Sequence, residues 1–191
     1  MSLVKPIVSV DNLRALQKEA MAFYVMYAKS ELELGFGEKL QEVDFSAIAC
    51  YFMYIKHDNP WSRERTLGAL TGYMMFLFLI SVYHPHYHLV PDLDTDHFWH
   101  THIFLKTDKY HQDCQKLFGY YLHHQSHLTV GETQEYDSQG DFANTLLLLK
   151  KHFGTEALAK LAHTNAQKAA TSGPMTTIIN VSNCSPITSR H

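Results

Sequence analysis

The sequence predicts an all-α protein, a compact bundle of about five helices with a loosely ordered C-terminal tail. Three observations carry that prediction. Apolar residues recur at helical spacing in several separate segments. Turn-forming residues such as Gly35, Gly37, Asn59 and Pro60 lie between them. The chain has 191 residues, of which 46% are apolar and 18% charged, so it fills one domain and is neither disordered nor fibrous.

The first helix opens at Ser9 or Asp11, both good caps, and carries Leu13, Leu16, Ala20, Phe23 and Tyr27 at helical spacing. It fades near Lys29, and Gly35-Phe36-Gly37 reads as the turn that follows. The second runs from Asp44 to about Ile55, with Phe45, Ile48, Phe52 and Ile55 on one stripe, and Asn59-Pro60 ends it. The third covers about Ser62 to Tyr83. No Asp, Glu, Lys or Arg occurs from Thr66 to Pro91. The stretch LGALTGYMMFLFLISVY is at the lower edge of a membrane span, which needs about 20 apolar residues. Gly68, Thr71, Gly72, Tyr73 and Ser81 dilute it, so it reads as the central buried helix of a soluble bundle.

The segment HPHYHLVPDLD, with its prolines, reads as loop or extended chain. A fourth helix then opens at Asp94 or Thr95 and runs toward Tyr121, with a break near Gly119. After a loop over 123–137, the fifth covers Ser138 to Phe153 and closes on Gly154, and Thr155 caps a short extra helix to about His163. Residues 1–163 thus form a single helical domain. Residues 164–191 form a flexible tail with one β-prone patch, Thr176–Val181.

Sixteen Lys and Arg against nineteen Asp and Glu give a net charge of −3, which argues against a nucleic-acid binder. Cys50, Cys114 and Cys184 form neither a disulfide framework nor a C-x-x-C pair, and the N-terminus lacks a signal-peptide core. These features point to a cytoplasmic protein, with membrane association unexpected and a protein partner left open.

The chain holds 14 histidines, and ten of them fall between His84 and His127. Imidazole is the commonest metal ligand and titrates near neutrality. On a regular fourth helix, Asp96 and His100 share a face. His84, His86 and His88 on an extended lead-in project to one side, and with that pair suit zinc, iron or manganese. His102 faces elsewhere. A second candidate combines His111 and Cys114 with His123 or His124, a thiolate set that favours zinc. On an unbroken helix His100 and Cys114 are separated by about 21 Å of rise, so one ion cannot hold both. The plainer reading makes Phe98 and Trp99 core anchors, Asp96 a helix-dipole residue and the histidines solvated or core groups. Neither HExxH, a facing ExxH pair, a phosphate loop nor a nucleophile elbow is present.

The stretch PDLDTDHFWHTHIFLKTDKYHQDCQKLFGYYLHH resembles the signature of the glycine-rich domain-containing protein-like family. Pro91, Asp96, Trp99, His100 and His102 match its W-H-x-H block. Thr107, Tyr110, Asp113, Cys114, Phe118, Gly119, His123 and His124 match its Y-x-x-D-C, F-G and H-H blocks. The apolar YMMFLFL ahead and the KKHFG behind extend the likeness over about Tyr73 to Gly154. Asp92 and Thr95 replace the family's Ser-x-x-Val pair, QSHLTVGE replaces its Pro-Tyr-x-Gly, and with nine glycines the chain has no glycine-rich region. The family has no settled biochemical activity. The resemblance implies a shared pattern at His100, His102, Cys114 and His124, and together with Asp96 these are the metal-ligand candidates.

The functional expectation is a cytoplasmic helical protein with a His-rich polar pocket binding a divalent metal, zinc or iron. The alternative is a non-catalytic protein-interaction module in which the Trp/His motif is structural. A metal-free enzyme with His100 as general base is a third reading. No catalytic residue or substrate is assigned.

Overall fold

A computed structural model describes residues 9–56, 59–105, 107–124 and 138–166. They form α1 (Val10–Tyr27), α2 (Glu31–Gln41), α3 (Ser46–Cys50), α4 (Arg63–Tyr83), α5 (Leu93–Leu105), α6 (Thr107–Phe118), α7 (Ser138–Phe153) and α8 (Thr155–Ala166). A π-helical turn, Tyr51–Ile55, continues α3. The fold class is all-α, and no strand occurs among the described residues. The expected tail, with Thr176–Val181, lies outside the described residues except for 164–166, which belong to α8.

The apolar third segment becomes α4, buried almost continuously from Thr66 to Ile80. Ser62 starts it by accepting the Arg65 backbone N–H at 3.2 Å. Its threonines return their hydroxyls to the backbone: Thr66 donates to the Ser62 carbonyl at 2.9 Å and Thr71 to the Leu67 carbonyl at 2.8 Å. Neither therefore brings an unpaired hydroxyl into the core. Helices α1, α2, α5, α7 and α8 all pack against it. By length and composition α4 could cross a membrane, but 72% of its apolar window is covered by the rest of the protein. It is the central helix of the bundle.

Helix α1 buries Leu13, Leu16, Ala20, Met21 and Tyr24 on one stripe. Phe45, Ile48 and Phe52 are buried as the spacing implies. Ile55 is not, because the π turn adds a residue to the period before it and leaves its side chain 51% exposed.

Two expectations need correction. The segment read as a Gly35-Phe36-Gly37 turn is helical and lies in the middle of α2. Ser30 accepts the Leu32 N–H at 3.3 Å while the Glu33 carboxylate accepts the Ser30 N–H at 2.7 Å, a reciprocal cap that starts the helix. Gly37 is retained inside it because α2 lies close against α1, where a Cβ would sit 3.1 Å from the Tyr24 ring. The fourth helix is two helices, α5 ending at Leu105 and α6 starting at Thr107. Trp99 Nε1 donates to the Tyr110 hydroxyl at 2.9 Å, and His102 Nε2 lies 3.1 Å from Asp113 Oδ2. Residues eleven apart on one straight helix are separated by about 16 Å along the axis, so these contacts require α6 to fold back on α5.

Two helix starts hold α5 in place. Arg65 grips Asp94 through Nε at 2.8 Å and Nη2 at 2.6 Å, joining the first turns of α4 and α5. At Gly72 an added Cβ would meet the Thr95 hydroxyl at 2.8 Å, so α5 rests directly on the α4 backbone.

The two α2 glycines give opposite expectations. Gly35 is exposed with nothing within 4 Å of an added Cβ, so Gly35→Ala raises stability by about 1 kcal/mol. Gly37→Val overpacks the Tyr24 contact and lowers it by about 2 kcal/mol. Urea unfolding of the two variants beside the parent measures both.

Candidate functional site

Asp96 and His100 lie one turn apart on α5, as the spacing implies. His124 follows α6 and is brought to them by a chain of polar and ring contacts. Trp99 donates to the Tyr110 hydroxyl, and that hydroxyl donates to the Leu122 carbonyl at 2.8 Å, pinning the chain two residues before His124. The His124 imidazole then packs edge-on against Trp99, with ring centroids 4.4 Å apart.

Among the described residues, this trio is the one group of three metal-ligating side chains whose donor atoms lie within 4.8 Å of one another. His100 Nε2 lies 3.5 Å from Asp96 Oδ2, and His124 Nε2 lies 3.3 Å from Asp96 Oδ1. The longer distance is poor for a hydrogen bond. The two contacts run to different oxygens of Asp96, and the shorter is a hydrogen bond that an ion held here would replace. The side chains are open to solvent in part: Asp96 is 31%, His100 48% and His124 17% exposed.

Protonation favours ligand forms. Burial pushes the Asp96 carboxyl up, but the hydrogen bond from His124 and the nearby His100 outweigh it and hold it below the usual carboxylate range. Burial lowers the His100 imidazole, and the opposing pull of Asp96 does not cancel that. At neutral pH the carboxylate is ionised and the His100 imidazole neutral, as metal binding demands.

The structure separates His102 and Cys114 from this trio. His102 is 5% exposed. Burial lowers its imidazole despite the attraction of Asp113. Neutral, it donates from Nε2 to Asp113 at 3.1 Å and accepts the Tyr73 hydroxyl at Nδ1 at 3.0 Å. Lys109 also grips Asp113. Both His102 nitrogens are occupied, so it has no lone pair free for an ion. Cys114 points into the core, where burial pushes its thiol up and keeps it protonated. Its expected partners turn elsewhere: His111 and His123 pack on Tyr121, and His124 joins Asp96.

The lead-in histidines are also placed apart. Residues 84–86 form a turn rather than an extended strand, and His84 stacks on Tyr120. His84, His86 and His88 are exposed. His127 lies outside the described residues.

A second acid–imidazole–phenol chain has no signal in the sequence. His152 donates from Nδ1 to Glu33 at 2.6 Å, and its Nε2 lies 2.8 Å from the Tyr83 hydroxyl. Glu33 and His152 are 119 residues apart, so no spacing rule connects them.

Comparison of the chain with family models, with curated proteins and with solved structures finds no match.

The relay at His102 sets a pH dependence. In the unfolded chain imidazole takes up a proton near 6.5, whereas folded His102 resists it. The unfolded state then binds more protons, so stability falls as pH drops below about 6.5. Asp113, whose carboxyl is lowered by His102 and Lys109 against its burial, adds a further loss as pH falls through the carboxylate range. Urea unfolding at pH 7.5 and 5.5 reads the first effect, and His102→Gln reduces it, leaving the part due to His97 and His100, which burial also lowers. Asp113→Ala, which strips the buried His102 and the half-buried Lys109 of their acceptor, costs about 2 kcal/mol at pH 7.5.

Proposed function

We propose that the chain binds one divalent metal ion, zinc or iron, through Asp96, His100 and His124. The observation that carries this reading is the convergence of a carboxylate and two imidazoles, with donor atoms within 4.8 Å of one another, on a partly open surface. Two imidazoles with one carboxylate and open positions is the donor set of non-haem iron centres. Three protein donors with a fourth position free is the pattern of catalytic rather than structural zinc. In that role Asp96 and the two imidazoles hold the ion, Trp99 fixes the His124 ring, and the open position admits water or substrate.

The resemblance to the glycine-rich domain-containing protein-like family fits the same segment and rests on the motif residues alone. A cytoplasmic setting is supported by the free thiols of Cys50 and Cys114. A second reading, a protein-interaction module whose Trp/His motif is structural, draws support from the buried and fully bonded Trp99, Tyr110 and His102.

Metal analysis of protein purified without a histidine tag separates the two. The expected result is close to one zinc or iron per chain. Asp96→Ala, His100→Ala and His124→Ala each weaken binding by more than about tenfold, whereas His102→Gln leaves it unchanged. Affinity falls as acid protonates His100, at a pH below the ordinary imidazole value of 6.5 because burial lowers it. Substoichiometric metal that does not respond to His100→Ala would overturn the metal reading.

A further inference from the structure

The stripe of α5 that carries Asp96 and His100 also carries two apolar side chains. At about 100° per residue, Leu93, His100 and Phe104 fall within an arc of about 40°, and Asp96 lies about 40° beyond His100. Thr95, Phe98, Trp99 and His102 are turned the other way and buried. Phe104 is 82% exposed, more than any other large apolar side chain among the described residues. It stands one turn after His100, about 6 Å along the axis. Helical side chains lean toward the N-terminus, so Phe104 leans over the turn that carries His100. Leu93 is 66% exposed at the other end of the stripe and by the same rule leans away from Asp96.

His124 closes the side of the trio that faces Trp99. Its ring lies 4.2 Å from that of His100 and 4.4 Å from that of Trp99. A molecule that approaches the donors from solvent along α5 meets the Phe104 ring instead. A lone exposed phenylalanine is ordinary, but one set beside three convergent donors gives a bound molecule an apolar contact.

Charge restricts what that molecule is. A divalent ion held by one carboxylate and two neutral imidazoles retains a single positive charge, so its open position favours an anionic oxygen donor. Helix α5 contains no Lys or Arg to pair with a second anionic group. Beyond its donor head the molecule is therefore selected by contact with the aromatic ring.

We propose that Phe104 sets the specificity of the Asp96–His100–His124 centre, and that the centre takes a small molecule with an anionic oxygen-donor head and an adjoining aromatic group that packs on the Phe104 ring. The proposal rests on the metal reading above and adds to it the class of ligand.

The test uses the full chain loaded with zinc and titrated calorimetrically with acetohydroxamate and benzohydroxamate. The two share a metal-binding head and differ in a methyl against a phenyl group. The parent binds benzohydroxamate more tightly by about tenfold. Phe104→Ser, tolerated because the ring stands in solvent, brings the two affinities to within about threefold and leaves that of acetohydroxamate unchanged. Phe104→Trp keeps the preference, and so does Leu93→Ser. Equal affinity of the parent for the two hydroxamates overturns the proposal, as does a preference that survives Phe104→Ser or is lost in Leu93→Ser. A parent that sediments as a dimer beside a monomeric Phe104→Ser variant assigns the ring to a second copy and also overturns it. A parent that holds no zinc, or holds it as tightly after His100→Ala, marks the metal reading as the error and removes the ligand class with it.

Discussion

A helix that is apolar around its whole circumference must be covered on every side, and α4 imposes that requirement on the rest of the chain. Five other helices pack on it, and each turns a stripe or an edge inward. Because α4 leaves no polar face of its own, polar groups enter the core only where partners meet them. Its threonines bond back to its own backbone, while Tyr73 and Tyr83 reach outward to imidazoles on other helices. The contact of Thr95 with Gly72 and the Arg65–Asp94 clamp then fix where α5 lies on this helix. With Phe98 and Thr95 committed inward, Asp96 and His100 are left on the opposite, wetter side.

The two tyrosine–imidazole–carboxylate chains solve one problem twice. Imidazole carries a nitrogen on each side of its ring, so it spans the gap between a phenol and a carboxylate that neither could close alone. His102 joins α4 and α5 to α6 in this way, and His152 joins α4 and α7 to α2. Such networks are stable when complete and costly when one member is lost. Part of the histidine excess is therefore architecture. The metal question narrows to the imidazoles left on the surface of α5 and just beyond α6.

What could be read from the sequence follows from how local each signal is. The fold class, α1, α4 and α7 rest on periodicity and caps within single segments, and they are where the spacing puts them. The Asp96–His100 pairing was legible for the same reason. Helix α2 was missed because two glycines in three residues look like a turn. Only the fit of Gly37 against Tyr24, a tertiary contact, explains them. The break between α5 and α6 was missed because the run from Asp94 onward keeps helical spacing across it. Position 124 was grouped with Cys114 on that assumption. Once α6 folds back, the chain after it returns to α5, and His124 meets Asp96 instead.

The local return of α6 on α5 also bears on how the protein would fold. All three donors fall in the segment 96–124, so an ion needs to close only a short loop to engage them, and short loops cost little entropy to close. An unfolded chain could gather the same imidazoles and carboxylate with modest effort. An ion bound in both states stabilises the fold by less than its affinity for the native protein suggests. Its larger effect would be on the order of events, favouring early formation of the α5–α6 hairpin before α4 has acquired its full cover.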